Sequence, residues 1–246
     1  MNPKKNKNTP PVPSRKGING FTLVELSIVI VIVGLLVAGV VAGRGVVHTA
    51  KLQKVISDID KIKLAINNFN LQYNAFPGDL ANASAYWSGE LNGDGDRIIT
   101  GSGEAVLLWR HLELAKLYPG TYTGVWGSGI QPGINAAAAP FPRSWYNIWR
   151  HVTLYDRPNR HSINLNSGTG TWNGVVSTTD AVNIDRKVDD GLASKGMIYT
   201  AKGNNYNIVN NVCTLGVNNF SSNPPINYNT GDTTPAACWM LFFLEK

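Results

Sequence analysis

The feature that most limits this chain is the run from Phe21 to Gly43, FTLVELSIVIVIVGLLVAGVVAG, in which Glu25 is the only charged residue. Twenty-three residues make about 35 Å of helix at about 1.5 Å per residue, long enough to cross the hydrocarbon core of a bilayer. A lone acid in such a run is costly, and in a membrane segment it marks a functional site with a partner. A secretory signal has a shorter apolar region that ends in a small-residue cleavage site. Here the only processing point lies before the run, so cleavage leaves the apolar segment on the processed chain.

The residues before it are basic. The chain has 246 residues, 43% hydrophobic and 15% charged, with a formal net charge of +6; this suits one ordinary domain plus a special segment. Lys4, Lys5, Lys7, Arg15 and Lys16 all precede Gly20 with no acid among them, and removing them leaves 17 basic against 16 acidic side chains. The charge is therefore an orientation signal rather than a nucleic-acid footprint, and no direct nucleic-acid partner is expected. It favours a cytoplasmic N-terminus and an exported C-terminal body, although Arg44, Lys51 and Lys54 on the far side make the asymmetry modest.

Beyond the apolar run, Leu52, Val55, Ile59, Ile62, Ile66, Phe69 and Tyr73 follow at alternating spacings of three and four, with Gln53, Lys54, Asp58, Lys61 and Lys63 off that stripe. The same helix therefore continues as an amphipathic one. It is expected to end near Asn74, before the turn-forming FPGD at 76–79, giving a helix about 80 Å long. The body after it reads as mixed α+β with long loops. A second helix is predicted over 103–117 with Leu108, Leu112 and Ala115 on one side. A third, short helix is capped by Thr178 or Thr179, turns Ala181, Ile184 and Val188 inward and stops at Gly191. Strands are predicted at 151–156, 161–166, 196–201, 207–217 and 238–246.

GFTLVEL at 20–26, after a short basic leader and before a long apolar helix, resembles the prepilin signature of type IV pilins and type II secretion pseudopilins. The resemblance covers roughly residues 15–74 and implies a cut by a prepilin peptidase between Gly20 and Phe21, N-methylation of Phe21, and assembly of the remaining chain into a helical filament. It also implies an inner-membrane, single-pass precursor with a periplasmic head that then enters a pilus or pseudopilus. The expected layout is a leader at 1–20, a membrane and assembly helix at 21–43, an amphipathic continuation at 44–74 and an exported head at 75–246. The fold class is α+β, a long N-terminal helix packed on a small, mostly antiparallel head.

The resemblance gives Glu25 a role. Cleavage creates a cationic amine on Phe21, and an amine and a carboxylate at hydrogen-bond distance in a low-dielectric setting offset much of each other's desolvation cost. Within the family this Glu is held to meet the amine of a neighbouring subunit, which sets axial register. One departure is Val41, where many family members carry a proline; Gly34, Gly39, Gly43 and Gly45 surround it. Those glycines fit either local melting of the helix or close packing between helices. Cys213 and Cys238 are the only cysteines. In an exported domain they are expected to be oxidised, tying the last strand to the preceding one as in the C-terminal loops of many type IV pilins; two free buried thiols are the alternative.

LNGDGDRII at 91–99 is a candidate calcium loop. Asn92, Asp94 and Asp96 alternate with glycines, and the carbonyl of Ile98 falls at the seventh place. The twelfth place is Gly103 and Glu104 comes one residue late, so the full EF-hand pattern is not met; Glu104 or Asp79 would have to complete the shell, and an Asx-rich turn without metal is the alternative. Asp185, Asp189 and Asp190 form a second acidic group, read as a solvated helix end. No other cofactor is expected, and catalysis has little support: His48, His111, His151 and His161 lack zinc spacing, and no serine sits in a nucleophile-elbow pattern. The seven tryptophans, Trp145 and Trp149 among them, read as core aromatics. The alternative to a polymerising subunit is a membrane-anchored exported binding protein or enzyme that uses the helix only as an anchor.

Overall fold

The computed structural model describes residues 20–151, 159–168, 172–203, 212–215 and 227–244. Two compact units divide at Val47 and His48, with helix α1 (Leu23–Tyr73) contributing to both. In the first unit every residue from Gly20 to Val47 is exposed, and a methyl added at Gly34, Gly39, Gly43 or Gly45 meets nothing within 4 Å. The apolar half of α1 is long and apolar enough to cross a membrane, and none of its most apolar stretch is buried by the chain itself.

In the second unit the amphipathic half of α1 buries Leu52, Val55, Ile59, Ile62, Ile66 and Phe69 in one core, with Tyr73 packed against it. Each such Ile, Val or Phe contributes roughly 1.5–3 kcal/mol by leaving water. Asp58 departs from the sequence reading: it is buried, held by Lys54 Nζ at 2.9 Å and by the Tyr146 hydroxyl, which donates at 3.4 Å. Position 58 lies three residues after Val55 and four before Ile62, so it flanks the buried face, where the Tyr146 hydroxyl meets it. The helix ends as expected, with Asn74 in the left-handed region and a turn closed by Asp79 N–H donating to Phe76 O at 3.2 Å.

Two further elements, α2 (Ala83–Tyr86) and α3 (Gly101–Leu114), precede the sheet. In α3 the buried side includes Leu108, Trp109 and Leu112, while Ala115 lies beyond the helix and is only partly buried. The strands β1 (Ser144–His151), β2 (Arg160–Ser167), β3 (Ser194–Lys195), β4 (Ile198–Lys202) and β5 (Cys238–Phe243) form one antiparallel sheet in the order β1-β2-β5-β4-β3. Pairing of Tyr146 with Leu165, Ile163 with Phe242 and Ile198 with Phe242 aligns the core face. The other face carries Tyr199, Ala201, Trp239, Leu241 and Phe243 on β4 and β5 and Asn147, Ser162, Asn164 and Asn166 on β1 and β2. Asn166 Nδ2 donates to Asn147 Oδ1 at 2.8 Å, so these buried amides satisfy one another.

Several strand expectations shift. The segment expected at 151–156 lies almost wholly outside the described residues, and the strand there ends at His151. Of the segment at 207–217 only Val212–Leu215 is described, with Thr214 bridged to Tyr228. The third helix is α4 (Thr178–Val188), but Ser177 rather than a threonine caps it, its Oγ accepting from Asp180 N–H at 3.2 Å. Thr178 is instead buried, and Val188 is 42% exposed rather than inward. Cys213 and Cys238 are linked, which ties the 212–215 segment to the first residue of β5.

Candidate functional site

The helix N-terminus is built by its own residues. Thr22 N–H and Oγ1 donate to Glu25 Oε2 at 2.8 and 2.9 Å, and Glu25 N–H donates back to Thr22 Oγ1 at 3.2 Å. This reciprocal pair is a capping box, which satisfies donors that an α-helix start leaves open. It was legible as T-x-x-E in TLVE but escaped the sequence reading, which treated Glu25 only as an intermolecular partner. Ahead of the cap, Phe21 is 86% exposed and non-helical, and a methyl at Gly20 meets nothing within 4 Å. Among the described residues nothing covers the Gly20–Phe21 bond, and none of them demands glycine at position 20.

The acidic loop is organised differently from a linear calcium motif. Asn92 Oδ1 accepts from Ser84 N–H at 2.9 Å, while Asp94 and Asp96 make successive Asx turns, accepting from Asp96 N–H at 3.1 Å and Ile98 N–H at 2.7 Å. The organising residue is Asp79 from the preceding turn. It is fully buried, and its two oxygens accept from Gly95 N–H at 2.7 Å and Arg97 N–H at 2.9 Å. Only glycine fits at 93, where a Cβ would come within 2.4 Å of the Asp79 backbone. Carboxylate oxygens of Asp79, Asp94 and Glu104 converge within 4.8 Å of one another, whereas Asp96 is not of that group. Glu104 also accepts from Thr100 N–H at 2.9 Å, capping α3. Burial, opposed by the Gly95 and Arg97 amides, raises the pKa of Asp79; burial and then the Asp94 and Asp79 charges raise that of Glu104. A cleft of about 520 Å³ opens beside them, lined in part by Leu107 and Trp126.

The second acidic group also does more than face solvent. Asp190 is exposed, but Asp185 is fully buried, accepting from the Tyr228 hydroxyl at 2.7 Å and Gly191 N–H at 3.2 Å. Burial pushes its pKa up to about 6. Asp189 accepts from Ile198 N–H at 3.0 Å and joins α4 to β4.

The histidines serve the loops. Gly78 N–H donates to His111 Nδ1 at 2.9 Å, Ile99 N–H donates to His161 Nε2 at 3.0 Å, and His151 Nε2 pairs with Asn164 Oδ1 at 3.2 Å. All three are buried, and burial lowers their pKa values, to about 4 for His151 and His161. Trp109, Trp145 and Trp239 are core residues.

Residues 15–41 match the family described as the prokaryotic N-terminal methylation motif, the prepilin-type signature of type IV pilins and pseudopilins. The family of this motif is structural rather than enzymatic. The match covers the leader's end and the apolar helix, not the head. No curated protein and no solved structure matches the chain.

Proposed function

We propose that this chain, which carries the prepilin-type signature at its N-terminus, is a structural subunit of a type IV pilus or type II secretion-like pseudopilus. A prepilin peptidase cuts the exposed Gly20–Phe21 bond and the new amine of Phe21 is methylated. The apolar half of α1 anchors the subunit in the inner membrane with the head on the exported side, and then packs against the same segment of neighbouring subunits. The observation that carries the reading is the 23-residue stretch from Phe21 to Gly43, which no described part of the chain covers and which contains one carboxylate a single turn after the cut. A stretch so apolar is stable in lipid or against its own kind and not in water.

In the free subunit Glu25 is satisfied by Thr22; in the filament it exchanges that local bond for the cationic amine of a neighbour, a stronger charge-assisted contact. The test pairs two measurements on the Glu25→Val chain: intact mass of the processed N-terminus and imaging of surface filaments. The variant is expected to be cut after Gly20 and to yield few filaments. Filaments at the unsubstituted level would remove Glu25 from assembly, and wild-type protein that retains its leader would remove the subunit reading itself.

A further inference from the structure

The first turns of the second unit, where the apolar run gives way to the amphipathic stripe, carry a cationic lip. Lys51 Nζ lies 5.9 Å from the centroid of the Phe141 ring, and His48 meets that ring edge-on at 6.2 Å. Phe141 is half-buried, while Pro142 and Arg143 are exposed. Arg143 is held on a tight turn at φ 54, closed by Ser144 Oγ donating to Phe141 O at 2.7 Å and by Gly168 N–H donating to Arg143 O at 2.9 Å. Among the described residues neither Lys51 nor Arg143 forms an ion pair. The carboxylates of the neighbouring elements are already engaged: Asp180 by His48 and Ser177, Asp58 by Lys54.

We propose that this lip, made by Lys51, Phe141 and Arg143, docks the head onto anionic phospholipid headgroups of the leaflet from which α1 emerges. The proposal rests on the membrane-anchored reading above. Lys51 lies eight residues beyond Gly43 on the same helix, about 12 Å along its axis. The polar zone of each leaflet accounts for several of those ångströms, so Lys51 falls within about one Debye length of the headgroups. Unpaired cations on long side chains suit this zone, because Lys51 and the exposed Arg143 can reach toward the phosphates while their stems stay on the head. The arrangement does not depend on which leaflet the head faces. An acidic protein surface would satisfy the cations equally, but the covalent continuity with the apolar helix keeps the lip beside lipid for as long as the subunit is anchored.

The full chain is reconstituted in vesicles of phosphatidylcholine alone and of phosphatidylcholine with an equal part of phosphatidylglycerol, and amide hydrogen exchange is followed over residues 139–144. Exchange there is expected to be slower in the anionic vesicles, to return to the zwitterionic rate in high salt, and to lose its protection in Lys51→Gln and Arg143→Gln chains, about fivefold in bound population for each cation removed. Equal exchange in both lipids, or protection that survives both substitutions, overturns the proposal. Protection that rises with protein density in phosphatidylcholine alone assigns the lip to a neighbouring subunit and overturns it too. Flotation reads the anchor separately: a chain that floats with neither vesicle overturns the anchored reading, whereas one that floats with both and shows no lipid difference overturns the lip alone.

Discussion

Replacing His161 with glutamine is expected to blunt the head's sensitivity to acid. Burial first, and the nearby Arg150 cation second, hold the His161 pKa down to about 4; its ring packs on Phe76 at 4.7 Å and its Nε2 accepts the Ile99 N–H. In an unfolded chain the same imidazole titrates near 6.5. Between those values the unfolded chain binds a proton that the folded chain does not, so this contribution is complete above about pH 6.5 and is lost as the pH falls. For one such histidine the loss from pH 7 to pH 5 is about 2 kcal/mol. His151, also lowered to about 4, adds a similar loss. Asp185 acts in the opposite sense: its folded pKa of about 6 lies above the ordinary value, so the folded state gains a proton first and recovers about 1 kcal/mol over the same interval. Together these three groups take away about 2 kcal/mol or somewhat more over the interval. A glutamine amide oxygen can accept from Ile99 N–H without titrating. Urea denaturation of residues 48–246 at pH 7 and pH 5, followed by tryptophan fluorescence, gives both slopes. The variant's loss over this interval should be smaller than that of the unsubstituted protein by about 2 kcal/mol. His111, which burial also lowers, acts equally in both proteins and cancels. Equal acid losses in the two proteins would show that His161 is not held neutral by the fold.

Opening the Cys213–Cys238 link, which closes a 25-residue separation, should destabilise the head by about 3.5 kcal/mol on the chain-entropy estimate; a denaturation midpoint unchanged by reductant would refute that. Calcium should raise the melting temperature of the head by relieving repulsion among Asp79, Asp94 and Glu104, and Asp94→Ala should remove the response. A calcium titration with no shift in the unsubstituted protein leaves the segment as a turn. Gly20→Glu should fold and insert normally, because among the described residues a side-chain methyl there meets nothing within 4 Å, yet retain its leader by intact mass; processing at the unsubstituted rate would show that the peptidase does not read this position.

Local rules made much of this chain legible. The unbroken apolar run, the three-and-four spacing from Leu52 to Tyr73 and the GFTLVEL signature each depend on residues within a few turns of one another, where 3.6-residue periodicity and capping act. The core-facing stripe of α1 accordingly lies where the spacing puts it. Strand β5 could be read as a continuous apolar run because it is the central strand and both its faces are buried. The same two-sided burial hid β1: SWYNIWRH buries residues on both faces, so no alternation marks it as a strand.

What the tertiary structure alone decided comes from pairings distant in sequence. Asp58 reads as a surface residue until Tyr146, 88 residues on, meets it in the core. The acidic loop reads as a linear ligand series until Asp79, from the turn after α1, takes the Gly95 and Arg97 amides and brings its carboxylate beside Asp94 and Glu104. The order β1-β2-β5-β4-β3 places the chain's last strand in the middle of the sheet. A helix and its cap are set by neighbours a few residues apart, so their pattern is written along the chain. A buried carboxylate's partner and a strand's place in the sheet depend on which distant segments exclude water together, and that is decided only when the whole core closes.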